Sequence, residues 1–224
     1  MESRIRAVVF DMDNTLFDFV EAKIKACKAV VEYLGLDDEW GLLNYFLRRV
    51  HGFEDNRNIR DFMLDKGIYS QKKFEECCRI YEGVKLHNIQ PYPGVIDVLE
   101  RLKKMGLKLA VVTDALNGHA LKRLQRAELI HFFDVVVSGD MTGKRKPEPD
   151  SIKLALNKLG IRPKEAVMIG DSLRRDIEAG RRLGMITVYA AYGDRNFFEE
   201  KRGKADFVIE SAMELIRLLN RFYD

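Results

Sequence analysis

Cysteine is scarce in this chain, with three among 224 residues. Cys27, Cys77 and Cys78 are odd in number and two of them are neighbours, so no disulfide framework is expected. Metal binding through them would need further Cys or His at ligand spacing, and His51, His87, His119 and His131 are scattered. The cysteines are therefore expected to be small, partly buried packing residues. A surplus of either charge is also missing. The 38 Lys and Arg against 35 Asp and Glu leave +3, which gives no reason to invoke nucleic acid or an anionic membrane. No apolar run approaches the ~18 residues that would span a bilayer. Residues 1–6 lead straight into a short apolar segment with no small-residue cleavage pattern. A soluble protein of a reducing compartment, the cytoplasm, is the expectation. Internal repeats and low-complexity segments are absent as well.

What is present is a composition that can build a core. Apolar residues make up 46% and charged residues 33%, which argues against intrinsic disorder. The length suits one large α/β domain, or such a core carrying an insert. Short apolar runs recur at Ile5–Phe10, Leu107–Val112, Phe133–Val137, Ala166–Ile169, Ile186–Ala190 and Phe207–Ile209. They are rich in Val and Ile and do not alternate, the pattern of strands buried on both faces of a parallel sheet. Helical spacing lies between them at Val95–Met105, Leu116–Glu128, Asp150–Leu159, Leu173–Leu183 and Ser211–Phe222. Gly106, Gly160 and Gly184 stand just past three of these, where a left-handed residue ends a helix. Alternating strands and helices predict right-handed βαβ units in an open, doubly wound sheet.

One interval breaks the alternation. From Phe17 to Gln90 no segment reads as a strand, while Val20–Leu34, Asp38–Val50, Arg57–Lys66 and Gln71–Lys85 carry helical spacing. A small helical bundle over 17–90 is predicted, inserted into a core made of 1–16 and 91–224. Pro91-Tyr92-Pro93-Gly94 marks the return, since such a stretch cannot continue a helix. An insertion that leaves at the C-terminal end of the first strand starts where open α/β sheets place their ligands.

The polar residues suited to phosphoryl chemistry collect at strand ends. The first run ends in Asp11-Met12-Asp13-Asn14-Thr15 and the second in Thr113-Asp114. A loop, Gly143-Lys144-Arg145-Lys146-Pro147-Glu148-Pro149, offers a cation before a helix, and the fourth run ends in Gly170-Asp171-Ser172-Leu173-Arg174-Arg175-Asp176. Each piece alone has an ordinary explanation: a turn, an N-cap, a solvated loop. Together, carboxylates, a hydroxyl and a lysine converge at one edge of one sheet. Clustered carboxylates repel one another unless a cation neutralises them, and a hard divalent ion, most naturally Mg²⁺, does so with oxygen ligands.

In order and spacing these motifs resemble the haloacid dehalogenase superfamily, in its phosphatase branch with a helical cap between the first two motifs. The resemblance runs over the whole chain: a Rossmann-like core in 1–16 and 91–224, and a cap in 17–90. It implies that Asp11 is the nucleophile that becomes an aspartyl-phosphate, and that Asp13 is general acid and then base. Thr113, with the amides after it at Asp114, would hold the phosphoryl oxygens. Lys146 would neutralise charge near Asp11 and the phosphate, Lys144 being its competitor. Asp11, Asp171 and the backbone carbonyl of Asp13 would ligate Mg²⁺, with Asp176 in support. Many relatives carry Asn where this chain has Asp114, so that extra charge has to point away or be paired.

The implied activity is hydrolysis of small phosphate monoesters, of the sugar, triose or glycolate phosphate type. Three other readings stay open: a 2-haloacid dehalogenase, a sugar phosphomutase, and a receiver-like phosphate-binding module. An acid two residues after the nucleophile has a task only where a leaving alkoxide needs a proton, which favours phosphate esters. A cap would set selectivity, with Phe17, Asp18 and Phe19 near the hinge and Arg48, Arg49, Arg57 and Arg60 as cations for an anionic substrate. A monomer or homodimer is expected, and the aromatics of the cap and of Asn196-Phe197-Phe198 suit either a core or an interface.

Overall fold

The computed structural model describes residues 4–38, 40–48, 50–195 and 205–222; Arg49 and the Asn196-Phe197-Phe198 segment lie outside them. The contacts divide the chain into two compact units, residues 1–18 with 90–224, and residues 19–89.

In the first unit each strand forms where a Val- or Ile-rich run was read. They are β1 (Ala7–Phe10), β2 (Lys108–Val112), β3 (Val135–Val137), β4 (Ala166–Gly170), β5 (Ile186–Ala190) and β6 (Phe207–Ile209). They lie side by side as β3-β2-β1-β4-β5-β6, every pair parallel. All four residues of β1 are buried, so neither sheet face has room for a polar residue and the run cannot alternate. Met168, Val9, Ala110 and Val112 share one core cluster with Ile152, Ala155 and Leu156, which come from the helix over 150–159. The strand order reverses at β1, with β2 on one side and β4 on the other. That switch point opens a crevice at the C-terminal strand ends.

The second unit holds α1 (Phe19–Tyr33), α2 (Gly41–Leu47), α3 (Arg57–Asp65) and α4 (Gln71–His87), with no strand among the described residues. Phe46 stacks on Tyr81 with ring centroids 5.1 Å apart, inside a core that includes Ala26, Leu42 and Phe62. Lys23 is wholly buried there. Its ammonium donates to the Phe53 carbonyl and lies 3.9 Å from the Phe46 ring centroid and 4.0 Å from that of Phe53, which offsets its lost hydration. Cys27 and Cys77 are buried, and burial pushes the Cys27 thiol up to about 12 and that of Cys77 to about 11. They pack rather than react.

Back in the first unit the helices are α5 (Val95–Lys104), α6 (Asn117–Arg126), α7 (Asp150–Leu159), α8 (Glu178–Arg182) and α9 (Glu214–Asn220). Gly106, Gly160 and Gly184 all have positive φ, as the helix-ending role demands. The segment expected as one helix over 173–183 instead opens with a π-helical turn over Leu173–Ile177. The Ser172 carbonyl accepts N–H bonds from Asp176 at 3.0 Å and Ile177 at 3.1 Å, and the second of these widens the turn. No described helix is long and apolar enough to cross a membrane.

At the opposite, N-terminal end of the sheet, Glu165 ties the start of β4 to the start of β1. Its backbone carbonyl accepts the Arg6 N–H at 2.7 Å, and its carboxylate accepts from Arg162 Nε at 3.0 Å and Arg6 Nη1 at 3.4 Å. The Arg162 side-chain bonds, seconded by its backbone N–H, hold this carboxyl down at about 2 from an ordinary 4.5. A depressed folded-state value stabilises the fold above pH 4.5 and loses that contribution as pH falls to about 2. Chemical denaturation across that range should show wild type more stable than Glu165→Gln at neutral pH and the gap closing by pH 2. A gap independent of pH would contradict the assignment.

Candidate active site

Asp11 and Asp171 directly follow strand ends, whereas Lys146 comes from the loop before α7. Asp11 directly follows β1, and its N–H donates to the Ile169 carbonyl at 2.8 Å, which keeps the chain seated against β4. Beyond it the backbone turns sharply: Asn14 has φ +63°, a left-handed conformation that Asn tolerates better than most residues. The turn brings the Thr15 hydroxyl back onto Asp11, where it donates to Oδ2 at 3.2 Å. The Thr15 hydroxyl oxygen in turn accepts the Asp171 N–H at 3.1 Å, so Thr15 joins the first and fourth strand ends.

The fourth strand end contributes two carboxylates. Asp171 is 2% exposed and Asp176 fully buried. Asp176 Oδ2 accepts the Ser172 N–H at 3.0 Å, and the wide turn over 173–177 carries the side chain back under the strand. This works only because residue 170 is glycine. A Cβ there would stand 2.4 Å from the Asp176 Cβ.

Lys146 supplies the central cation. Its ammonium is wholly buried, contacts the Asp11 carboxylate, lies 2.6 Å from Asp176 Oδ1 and donates to the Val112 carbonyl at 3.1 Å. Lys144 instead reaches out to Asp150 at 3.6 Å with its side chain 58% exposed, so of the two lysines only Lys146 enters the cluster. Thr113 is buried at the end of β2, its hydroxyl accepting the Ala115 N–H at 3.1 Å. Asp114 is paired rather than turned away. Its Oδ1 accepts the Lys146 N–H at 3.1 Å, and its Oδ2 lies 3.8 Å from Arg175 Nη1. Arg175 Nη2 is also 3.8 Å from Asp171 Oδ1.

Asp13 has a cation of its own. Its Oδ2 accepts a bond from Arg123 Nη1 at 2.8 Å. Thr15, Arg123 and Arg175 are therefore the neighbours of the site that motif reading did not assign. Thr15 lies inside the first motif and Arg175 next to Asp176, so both were within reach of it. Arg123 is 110 residues from Asp13 and carries no local signal.

The charges set the chemistry. Burial, and next the Asp176 carboxylate, push Asp11 up to about 7, while Lys146 and Arg175 pull the other way. Burial, then Asp11 and Asp176, also hold Asp171 well above the usual carboxylate range. For Lys146 burial alone would lower the ammonium, but Asp11 and Asp176 outweigh it and hold it up. Ligand oxygens of Asp11, Asp171 and Asp176 all lie within 4.8 Å of one another, and Asp171 Oδ1 is buried without a hydrogen bond. An all-oxygen, anionic donor set with an unused lone pair fits a hard divalent cation.

Residues 8–190 match the family of haloacid dehalogenase-like hydrolases. The chain belongs to that family. It is 31% identical over 223 residues to a glyceraldehyde 3-phosphate phosphatase of Methanocaldococcus jannaschii, covering 96% of this chain and 97% of the relative. A phosphoglycolate phosphatase of Aquifex aeolicus is 31% identical over 220 residues, covering 96% and 97%. The crystal structure of a HAD phosphatase from Thermococcus onnurineus superposes with a TM-score of 0.68 at 29% identity, covering 96% and 98%. The chain is thus an enzyme, a hydrolase whose full-length curated relatives are named phosphatases.

The Gly170 contact makes a prediction. Gly170→Ala should displace Asp176, cost about 1–3 kcal/mol of stability and lower turnover at least tenfold. Gly118→Ala on α6, where a new Cβ meets nothing within 4 Å, should hold or slightly raise the melting temperature. Thermal melts and initial rates on both variants check this. A Gly170→Ala enzyme with unchanged turnover would show that Asp176 is not held by this contact.

Proposed function

We propose that this chain is a Mg²⁺-dependent phosphatase of small phosphate monoesters, working through an aspartyl-phosphate on Asp11. The observation that carries the reading is the division of labour between two carboxylates two residues apart. Asp11 shares a buried cluster with Lys146, Asp171 and Asp176, whereas Asp13 pairs with Arg123. This difference in partners supports assigning Asp11 as the nucleophile and Asp13 as the group that moves protons.

Asp11, Asp171 and the Asp13 carbonyl would hold the cation, with Asp176 beside them. When bound, a divalent ion there supplies positive charge that lets an anionic carboxylate approach an anionic phosphate. The remaining steps belong to the chain's own groups. An Asp11 oxygen attacks phosphorus, and the bond from phosphorus to the ester oxygen breaks with its electron pair going to that oxygen. Asp13 gives the leaving oxygen its proton, releasing the alcohol. Water then attacks the aspartyl-phosphate at phosphorus while the Asp13 carboxylate takes its proton. Inorganic phosphate leaves and both aspartates are restored. Thr113, with the backbone at Asp114, is assigned to the phosphoryl oxygens and Lys146 to their charge.

The same arrangement weighs against a dehalogenase, in which halide leaves without a proton and Asp13 is idle. Triose and glycolate phosphates are favoured as substrate classes by the names of the relatives. The helical unit is assigned the part of a cap that sets selectivity. Of the cationic candidates there, Arg48 pairs with Asp61 and Arg57 with Asp55, which leaves them less apt to hold a substrate. Phe17 is wholly buried and reads as packing. Cysteine usage favours the cytoplasm.

Phosphate release from an aryl phosphate with millimolar Mg²⁺ tests the reading. Continuous turnover should stop with EDTA and fall at least about a thousandfold in Asp11→Asn. Turnover that survives in Asp11→Asn, or a preference for phosphorylated protein over every small ester, would overturn it.

A further inference from the structure

Helix α6 carries its basic residues in two different settings. Lys122 and Arg126 are exposed, as lysine and arginine on a surface helix should be. Arg123 is not. It sits on the buried face with Ala120 and Leu124, its side chain only 3% exposed, in a row otherwise suited to apolar residues. A guanidinium taken out of water needs a charged partner, and here Nη1 donates to Asp13 Oδ2 at 2.8 Å.

We propose that Arg123 is the positioning residue for Asp13. The carboxylate is planar, so a bond that holds Oδ2 also restricts the direction in which Oδ1 points. The backbone contributes to the same end through the left-handed turn at Asn14. Without the guanidinium the Asp13 side chain loses the bond that holds Oδ2. Arginine suits the task because it stays charged and presents rigid, planar donors, which a lysine reproduces only in charge. Arg123 does not touch the reacting atoms; it acts through Asp13.

This inference rests on the phosphatase reading, and its signature depends on the leaving group. A poor leaving group such as the glycerol of glycerol phosphate needs the proton from Asp13, whereas 2,4-dinitrophenolate departs without one. Arg123→Met should therefore lower kcat on glycerol phosphate about 10- to 100-fold, a part of what general acid catalysis supplies. On 2,4-dinitrophenyl phosphate the change should stay within about threefold, and Arg123→Lys should recover part of the loss on glycerol phosphate. In an Asp13→Asn background, Arg123→Met should cost nothing more on glycerol phosphate, because the two residues act as one unit. If Arg123→Met does not fold, Arg123→Lys and the Asp13→Asn background carry the test with an intermediate loss on glycerol phosphate alone. Equal losses on the two esters, or additive losses with Asp13→Asn, would overturn the positioning role while leaving the phosphatase reading intact. A wild-type enzyme that turns over neither ester would overturn both.

Discussion

Asp11, Asp171 and Asp176 crowd together at the C-terminal ends of the strands of a parallel sheet, almost cut off from water; burial and Asp176 raise the cost of ionising Asp11, and burial, Asp11 and Asp176 raise that of Asp171. Such a cluster survives folding only if positive charge is brought to it. Lys146 does this from a loop, wholly buried and in contact with two of the three. Arg175 adds a second cation, at a distance of 3.8 Å from both Asp114 and Asp171. The count still leaves an anionic pocket with an unbonded oxygen on Asp171, and that residual charge is what recommends the site to a divalent ion. Asp13, only two residues from Asp11, has its own cation in Arg123. The two aspartates thus have separate counterions.

The fold answers the need to bring distant residues to one point. In a parallel sheet every strand ends on the same side, and at the switch point beside β1 the connections diverge and leave space. The site draws on residues 11, 113, 146, 171 and 176, which no local motif could unite. Two close approaches make the convergence possible. Gly170 lets Asp176 pass beneath β4, and Gly193 lets its loop approach the Asn14 carbonyl, where a Cβ would come within 1.6 Å.

Much of the fold was legible because burial on both faces of a strand leaves only β-branched and aliphatic residues. The six Val- and Ile-rich runs became the six described strands, four with an end shifted by one or two residues and two, β5 and β6, unshifted. Gly106, Gly160 and Gly184 were legible because a left-handed residue is costly for anything else. The π-helical turn was not, since one extra residue in a turn leaves no mark on apolar spacing. At the site, the charge on Asp114 signalled that some partner was needed, but Arg175 could be named only once the chain was folded. The bond between Arg123 and Asp13 spans 110 residues, and the helical spacing around Arg123 marks it only as one more basic residue on a helix. Pattern reading finds what a segment does by itself and misses pairings that the topology creates.

The charge argument can be tested apart from activity, by thermal unfolding of metal-stripped protein with and without Mg²⁺. A cation that binds only the folded state raises the melting temperature by mass action. Wild type should gain stability with rising Mg²⁺ and saturate. Asp171→Asn, relieved of one like charge, should start at or above the metal-free wild type and respond weakly or not at all. A wild-type melting temperature indifferent to Mg²⁺, or an Asp171→Asn protein that starts lower and keeps the full Mg²⁺ response, would contradict the account.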